Sequence, residues 1–530
     1  MRRADFRKGT EMNNSTNKTW LQYEAGKDYK RRIGLYETVR QNERFYRGDQ
    51  WHGITAENLP KPVFNIVRRI ADYLTCTVAP GKISVYYSGE QMPYIKDKSL
   101  AEKITRATDV LTANAAYRWE KGKMDSKLHR LISDAAISGD GVLYCYWNDS
   151  LDGGGEFVGD ISTDVIDNTN LFVADVNCAD IQSQEYVILS GRASVSSLRR
   201  EAEKFGVDRK EILKIVPDSD GISDRAGDLS NIELDGNDEA KATYLIKFWR
   251  EGGKVCFEKT TKECVIRRAV TPCTLYPVAY FNWYPTKNSF HGTSPISGII
   301  PNQKYINRSY AMVMKHMSDT AFSKVIYDKS KIPEWNNEVG EAIAAISGTN
   351  VSDAVSVVGV GKLQDKYLDF LSNVVSVTKE LGGATETALG NITPTNTSAI
   401  LAIQEASKIP LQLVRSALYQ CIEDLANIWA DMMCAYFTSE RLLPGIDKKG
   451  ECKSEFVDFS LFAKDTVKAR VDVVDTSTYS SSITLGILDK LLDGGHITLS
   501  QYLKRIPSDY IDNYTELMKE EQEDGTGSYQ

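Results

Sequence analysis

The hydrophobic and polar positions from Ser294 to Lys324 follow a helical repeat. With 100° between successive residues, the apolar side chains fall on one side and Lys304, Arg308 and Lys315 on the other. The apolar positions are Ile299, Ile306, Tyr310, Val313, Met314, Met317 and Ala321. The pattern predicts a helix about 30–40 Å long with an apolar back and a basic front. A basic front of this kind either is solvated or faces a polyanion.

The chain before this helix mixes helical and strand-like patterns, which predicts an α+β unit. One aromatic-rich helix is predicted from Trp20 to Gly48, where the glycine ends it. Residues 151–235 are rich in Asp and Gly, so we expect loops, including Asp164 and Asp167, between short strands. The other predicted helices are 63–74, 100–118, 128–137 and 195–205. The predicted strands are 83–87, 142–147, 171–173, 185–189, 244–249, 254–257, 264–267 and 276–283.

Two glycine-rich stretches invite comparison with nucleotide-binding loops. The turn Ser138-Gly139-Asp140-Gly141 comes between a helix and a strand, without the further glycine of a dinucleotide fingerprint. The stretch Gly359-Val360-Gly361-Lys362 lacks both the earlier glycine and the Ser or Thr of a phosphate loop. Both stretches are therefore interpreted as structural.

The chain after Lys324 predicts smaller elements and then two further long helices. A helix over 339–346 and a strand over 354–360 precede the second long helix, 363–381. This helix and the first can stand antiparallel, with the small unit at their far end. Residues 456–462 and 467–474 are predicted strands, and 483–492 and 499–505 are predicted helices.

The segment from Gly382 to Thr397 consists of small, polar and turn-forming residues. It is longer than a helix–helix connection needs, which favours a functional loop. Its glycines permit unusual backbone angles, and its neutral donors can bind phosphates without adding charge. The candidate donors are Thr385, Thr387, Asn391, Thr393 and Asn396.

The longest apolar helix is predicted to begin at Ser398, and Pro410 should kink it. After the proline, apolar positions alternate in steps of three and four, the spacing of a coiled-coil seam. They are Leu411, Val414, Leu418, Cys421, Leu425, Ile428 and Met432. This seam packs either against another subunit or inside the core of a single one.

Composition narrows the class of protein. The 530 residues are 42% hydrophobic and 26% charged, as in globular proteins, and the net charge of −8 argues against a general nucleic-acid coat. The nine cysteines form no CxxC pair and no histidine stands near one at ligand spacing, so we expect free thiols, no metal and no cofactor. The first residues lack the apolar core of a signal peptide and no long apolar run occurs, so we expect a cytosolic protein without membrane contact.

Five stretches in this order resemble the portal proteins of tailed bacteriophages, over nearly the whole chain. They are ERFYRGDQW with VFNIVRRIADYL, HRLISDAAISGDGVLYCYW, FHGTSPISGIIPNQKYINR, TALGNITPTNTSAILAIQEAS and LDGGHITLSQYLKRIPSDYIDNYTELMKEE. The resemblance implies an α+β portal-type subunit. Its parts would be a wing (1–285), a first stem helix (286–324), a clip (325–362), a second stem helix (363–382), a tunnel loop (383–397), a long kinked helix with returning wing strands (398–480), and a crown with an acidic tail (481–530).

The resemblance also implies a function. The subunits would form a homododecameric ring at the portal vertex of the virion, assembled in the host cytoplasm, with a channel for genome packaging and ejection. Its implied partners are the terminase large subunit, head–tail adaptors, major capsid and scaffold proteins, and double-stranded DNA held without sequence preference. Lys304, Arg308 and Lys315 would then form three positive bands around the channel.

Two other classes remain open on the sequence. One is another self-assembling virion protein, either a capsid or an adaptor subunit. The other is an α+β hydrolase, although the sequence contains no GxSxG, HExxH, DFG or Walker pattern. We therefore expect no catalytic residues and no ATPase activity.

Overall fold

The structure is a computed structural model, and its two compact units are described separately. It describes residues 15–55, 58–89, 98–152, 158–218, 241–320, 324–335, 346, 350, 355–358, 365–384, 409–437, 441–446, 452–457, 467–474, 478–497 and 502. The first unit comprises Met1–Leu35, Thr75–Thr293 and Thr393–Gln530, and the second Tyr36–Leu74 and Ser294–Ile392.

Helices and strands both contribute, so the chain is an α+β protein. The helices are α1 (Ser15–Arg32), α2 (Leu35–Arg47), α3 (Ile66–Val78), α4 (Lys98–Lys121), α5 (Met124–Ser138), α6 (Val195–Lys204), α7 (Arg209–Ile212), α8 (Ile300–Thr320), α9 (Asp365–Leu381), α10 (Gln412–Tyr436) and α11 (Thr478–Asp493). Within the described ranges, no helix has the length and apolar character needed to span a bilayer.

The strands pair antiparallel throughout. They are β1 (Lys82–Gly89), β2 (Asp140–Asp152), β3 (Val158–Ile166), β4 (Leu171–Val173), β5 (Tyr186–Ser194), β6 (Lys241–Glu251), β7 (Lys254–Thr260), β8 (Val265–Val270), β9 (Val278–Asn282), β10 (Lys324–Tyr327), β11 (Val355–Val358), β12 (Arg441–Ile446), β13 (Cys452–Val457) and β14 (Val467–Val474). Their sheet orders are β4-β5-β6-β7-β8, β3-β2-β9, β1-β14, β10-β11 and β12-β13.

The core of the first unit lies between its sheets and α10. Val187, Phe248 and Val255 come from the five-stranded sheet and meet Val142 and Val278 of the three-stranded sheet in one buried cluster. Helix α10 contacts β2, β9 and β14. Strand β1 pairs with β14, nearly 400 residues later in the chain, in the register Val85↔Val471. The first unit is therefore completed by a strand pair whose two members are far apart in the sequence.

The second unit is built around α8. This helix leads toward β10, β11 leads back toward α9, and α8 contacts α9. The two strands pair as Lys324↔Val358 and Tyr327↔Val355. The contact between α8 and α9 and the β10–β11 pair between them in sequence are compatible with the predicted helix hairpin, which stays a prediction. The predicted helix 339–346 lies outside the described residues except for Ile346.

The single aromatic-rich helix predicted up to Gly48 is wrong, because the structure has two helices there. Helix α1 ends before Gly34, whose φ of 69° is accessible to glycine at little cost, and the Gly34 N–H donates to the carbonyl of Arg31. Gly48, with φ of 93°, ends α2 as predicted. The prediction therefore missed the first of two glycine stops.

Strand β3 was also missed, because its aspartates suggested a loop. It pairs along β2, with Cys145 opposite Thr163. Asp164 accepts a hydrogen bond from the Tyr146 hydroxyl (2.9 Å), and Asp160 accepts one from Arg118 of α4 (2.7 Å). Asp167 follows the strand and caps a 3₁₀ turn, accepting from the Thr169 N–H. Donors on neighbouring elements thus allow an acidic sequence to form a strand.

Candidate functional site

Helix α8 carries the predicted cationic face. Its described residues run from Ile300 to Thr320, so it begins later than predicted, and Lys324 belongs to β10. Lys304 and Arg308 are exposed and Lys315 is half-buried, and all three lie within 40° of one another on the helical wheel. The ammonium of Lys304 lies 5.4 Å from the centroid of the Phe45 ring. The structure therefore confirms a basic face on this helix.

One acidic residue changes the charge of this face. Asp319 lies on the same side of α8, and its carboxylate is 3.3 Å from the Lys315 ammonium. Because i,i+4 pairs of opposite charge are neighbours on a helix, Asp319 offsets Lys315. In the described part of the chain, two of the three predicted cations, Lys304 and Arg308, therefore have no carboxylate partner.

The apolar side of α8 is only partly buried. Ile299, Ile306 and Val313 are buried, and the Tyr310 ring centroid lies 4.3 Å from that of Phe64. Met314 and Met317, which share the apolar side by helical spacing, are 37% and 62% exposed. Ala321 lies outside the described residues.

Two buried amide side chains fix the position of α8 by hydrogen bonds. The sequence had suggested only apolar contacts for this side of the helix. Gln303 accepts from the Ile66 N–H (2.9 Å) and donates to the Phe64 carbonyl (2.7 Å) and to Asn307 Oδ1 (2.9 Å). Asn307 in turn donates to Gln50 Oε1 at 2.6 Å. Because buried amides need matched partners, this chain of hydrogen bonds sets the rotation of α8 and with it the side on which the cations lie.

The root of the predicted loop is a left-handed helix end. Gly383 has φ of 72°, its N–H donates to the Glu380 carbonyl, and the Ala384 N–H donates to the Lys379 carbonyl. This is a Schellman motif, which needs glycine at the left-handed position. A Cβ on Gly382 would lie 2.6 Å from Ile70 Cδ1. Thr385, Thr387, Asn391, Thr393 and Asn396 lie outside the described residues.

The helices α8, α9 and α10 fall within the part of the chain that matches a known family. A profile of the phage P22-like portal protein family matches residues 214–481, just over half of the chain. The chain belongs to the phage P22-like portal protein family. Comparison with curated proteins finds no match. Portal proteins of this family are structural components and not enzymes.

The seven apolar seam residues of this portal-family chain lie on α10 and the 3₁₀ turn before it. Every one of them, from Leu411 to Met432, is buried within the first unit of the same chain. Burial also raises the pKa of the Cys421 thiol. Their spacing is thus accounted for by the core of one subunit, and a role between subunits stays a prediction.

Hydrogen bonds anchor α10 along its length. The Trp429 indole N–H donates to Thr163 Oγ1 at 3.0 Å, and the Ala426 carbonyl accepts from the Tyr87 hydroxyl at 2.9 Å. Asp431 accepts from the N–H and the hydroxyl of Thr274, both at 2.8 Å. Pro410 lies in the 3₁₀ turn Ile409–Leu411 just before the helix. Residues 401–408 lie outside the described part, so the predicted kink stays a prediction.

Sequence reasoning missed one polar cluster. Asp140, interpreted only as part of a turn, is buried and accepts from four donors. They are Asn168 Nδ2 (3.1 Å), Asn282 Nδ2 (3.2 Å), His291 Nδ1 (2.7 Å) and the Gly292 N–H (2.7 Å). Both Asp140 and His291 lie in motifs that carry the family resemblance. Their place in these motifs was the sequence signal from which the cluster could have been predicted.

Proposed function

We propose that twelve copies of this chain form a closed ring at one vertex of a phage capsid. Double-stranded DNA passes through its central channel during packaging and ejection. Membership of the portal family supports this proposal, and the observation that carries it is a set of exposed apolar side chains on α8 and α9. In a closed ring, one surface of each copy packs against a different surface of the next copy. Apolar side chains in this contact would therefore be buried in every subunit.

Eight large apolar side chains of α8 and α9 are exposed in the described part of the chain. Large exposed apolar patches mark contacts with other molecules. The exposed side chains are Tyr305, Met312, Met314 and Met317 on α8, and Leu368, Phe370, Val377 and Leu381 on α9, with exposed fractions from 37% at Met314 to 71% at Leu381. Burying these side chains between copies would favour assembly by the hydrophobic effect.

The small number of cations on α8 suits a channel that must bind DNA only weakly. Each phosphate neutralised by Lys or Arg adds affinity that does not depend on sequence and would slow sliding. Within the described residues, Lys304 and Arg308 have no carboxylate partner, and Lys315 is offset by Asp319. A ring repeats these charges, so the channel carries bands of modest positive potential.

The remaining parts are assigned by the resemblance to portal proteins. The clip, residues 325–362, docks the terminase large subunit during packaging and the head–tail adaptors afterwards. The wing contacts the major capsid and scaffold proteins, and the loop 383–397 reaches the DNA. Energy for DNA movement comes from the terminase, so the ring alone hydrolyses no ATP. Hydrolysis by the purified ring would contradict this assignment.

Particle symmetry tests the proposal. Light scattering and negative-stain images of the purified protein should show a closed ring with a central hole. An icosahedral shell would favour a capsid protein instead, and a monomer would contradict ring formation.

Matched substitutions test the surface that carries the proposal. Met317→Glu and Phe370→Glu place charges on the exposed apolar surface and should reduce ring formation while the subunit remains folded. Leu213, 61% exposed in the first unit, supplies the control Leu213→Glu, which should leave rings intact. Normal rings with both test substitutions would remove α8 and α9 from the interface.

A further inference from the structure

A cleft of about 330 Å³ opens on the first unit, where the beginning of α1 lies across the five-stranded sheet. Its lining comes from α1, from β5 with the residue before it, and from β6, β7 and β8. Trp20 and Tyr23 of α1 pack on Ile188 and Leu245 and cover the adjoining part of the sheet. The cleft is thus the part of this face that α1 leaves uncovered.

Four cations line the cleft, and the guanidinium of one, Arg250, already donates to the carbonyls of Gln182 and Thr274. The other three are Lys18 on α1, Lys247 on β6 and Arg268 on β8. The Lys247 ammonium donates to Gln22 Oε1 at 2.7 Å and lies 5.4 Å from the centroid of the Trp249 ring. Burial lowers the pKa of Lys247. The positive charges of Lys18 and Arg268 lower it further, whereas the Glu258 carboxylate raises it. An anion among the three would relieve their repulsion.

Two of the three carboxylates of the cleft have donors in the described part of the chain, and the third, Glu185, is exposed. Glu258 is buried and accepts from the Thr19 hydroxyl at 2.8 Å, and Glu251 accepts from the Trp249 indole N–H at 2.8 Å. The Arg268 Nε forms an ion pair with Glu258 at 3.9 Å, a separation too long for a hydrogen bond. In the described part of the chain, neither Lys18 nor Arg268 makes a hydrogen bond through its side chain. Donors directed at the cleft are therefore available to a ligand.

An aromatic surface completes the site. The Arg268 guanidinium lies 5.2 Å from the centroid of the Trp249 ring, so cations flank this half-buried indole. The indole can receive an aliphatic stem while the cations bind the group at its end. A glutamate or aspartate side chain has this combination of an apolar stem and a carboxylate.

We propose that the cleft beside Trp249 binds an acidic segment of a partner protein, with a side-chain carboxylate between Lys247 and Arg268. Three glutamates in the lining, at positions 185, 251 and 258, would repel the dense charge of DNA. A peptide with one or two carboxylates avoids most of this repulsion. The site lies wholly in the first unit, and its existence does not depend on ring formation or on a channel.

The test measures binding of a fluorescein-labelled peptide that contains Glu-Val-Glu between Gly-Ser flanks, by fluorescence anisotropy with the full-length protein. Saturable binding is expected for this peptide and not for its Lys-Val-Lys counterpart. Arg268→Gln and Lys247→Gln should each weaken binding about tenfold, the effect of losing one charge-assisted hydrogen bond. Lys262→Gln removes an exposed charge outside the cleft lining and should leave binding unchanged.

Competition identifies the occupant. Free glutarate should compete far more weakly than the unlabelled peptide, and short duplex DNA should not compete. Equal competition by glutarate would overturn the peptide assignment, and so would duplex DNA that binds wild type and loses affinity in Arg268→Gln. Absence of saturable binding at millimolar peptide, or unchanged binding to Arg268→Gln, would overturn the site itself. Arg268 and Lys18 are exposed, so Arg268→Gln and Lys18→Gln keep the test decisive if Lys247→Gln fails to fold.

Discussion

Asp140 and His291 form a buried pair although 151 residues separate them, with Oδ2 of the aspartate 2.7 Å from Nδ1 of the histidine. The same carboxylate binds the next residue, because its Oδ1 accepts from the Gly292 N–H. The pair thus joins the start of β2 to residues 291 and 292, in one of the motifs that resemble portal proteins.

Removing the carboxylate should destabilise the first unit. Asp140→Ala leaves four donors without their acceptor, two of them on the buried side chains of Asn168 and His291, so we expect a loss of about 3 kcal/mol in the free energy of unfolding. Denaturant unfolding measures this loss. The exposed Asp208→Ala should change stability by less than about 0.5 kcal/mol. Equal stability of the two variants would show that the cluster contributes nothing.

His291 should make stability depend on pH in one direction. Burial lowers its pKa below the ordinary value, although the hydrogen bond to Asp140 opposes this. The unfolded chain therefore binds the proton more readily, so stability should fall as the pH drops below about 6.5 and level off once the folded histidine is protonated. His291→Gln should flatten this decline in urea midpoints between about pH 7.5 and about pH 5.5, whereas the exposed His129→Gln should keep it. A decline of equal steepness in both variants would assign it to other groups.

The seam of α10 offers a matched pair of leucines. Leu418 is fully buried and Leu413, on the same helix, is 83% exposed. Leu418→Ala should lower the free energy of unfolding by about 2–5 kcal/mol, since it removes buried methyl groups and leaves a cavity. Leu413→Ala should change it by less than about 0.5 kcal/mol. Loss of rings by Leu418→Ala with unchanged subunit stability would instead place the seam between subunits.

Asp319 allows a test of opposite sign for the basic face of α8, which we propose faces DNA. Arg308→Gln should weaken retention of duplex DNA by the ring and lower its salt dependence, by about 0.9 in the log–log slope for each phosphate that is no longer neutralised. Lys315→Gln should have a smaller effect, because Asp319 already pairs with that lysine. Asp319→Asn should strengthen retention. Filter binding at several salt concentrations measures all three, and weaker binding by Asp319→Asn would contradict the assigned face.

Substitution of Gly383 tests whether the end of α9, just before the loop, requires a left-handed residue. Gly383→Ala places a Cβ on a left-handed residue, so we expect a loss of about 1 kcal/mol in stability. Gly486→Ala, in α11 with open space around it, should be neutral or stabilise by up to about 1 kcal/mol. Thermal unfolding of both variants provides the comparison, and an unaffected Gly383→Ala would remove the conformational requirement.

The loop itself is tested by separating assembly from packaging. Replacing Asn391 to Asn396 with a short Gly-Ser linker removes neutral donors that can bind phosphates. Rings should form normally, and DNA packaging should be slowed or lost. Normal packaging by intact rings would exclude the loop from the mechanism.

The sequence determined the features that depend on neighbours along the chain. Helical spacing predicted α8 and its three cations, because a helix places residues three and four apart on one face. Gly48 marked the end of α2, and the order of motifs predicted the portal family. The seam spacing predicted a packed face on α10 but did not say whether its partner was the same subunit.

Tertiary structure decided the features whose partners are distant in the chain. The local pattern does not show that Gln303 and Asn307 find amide and carbonyl partners near residues 50 and 66, or that Arg118 and Tyr146 make a strand of an aspartate-rich segment. Strand β1 likewise has its partner, β14, nearly 400 residues away. Periodicity records which residues share a face, whereas burial and pairing depend on what the folded chain brings against that face.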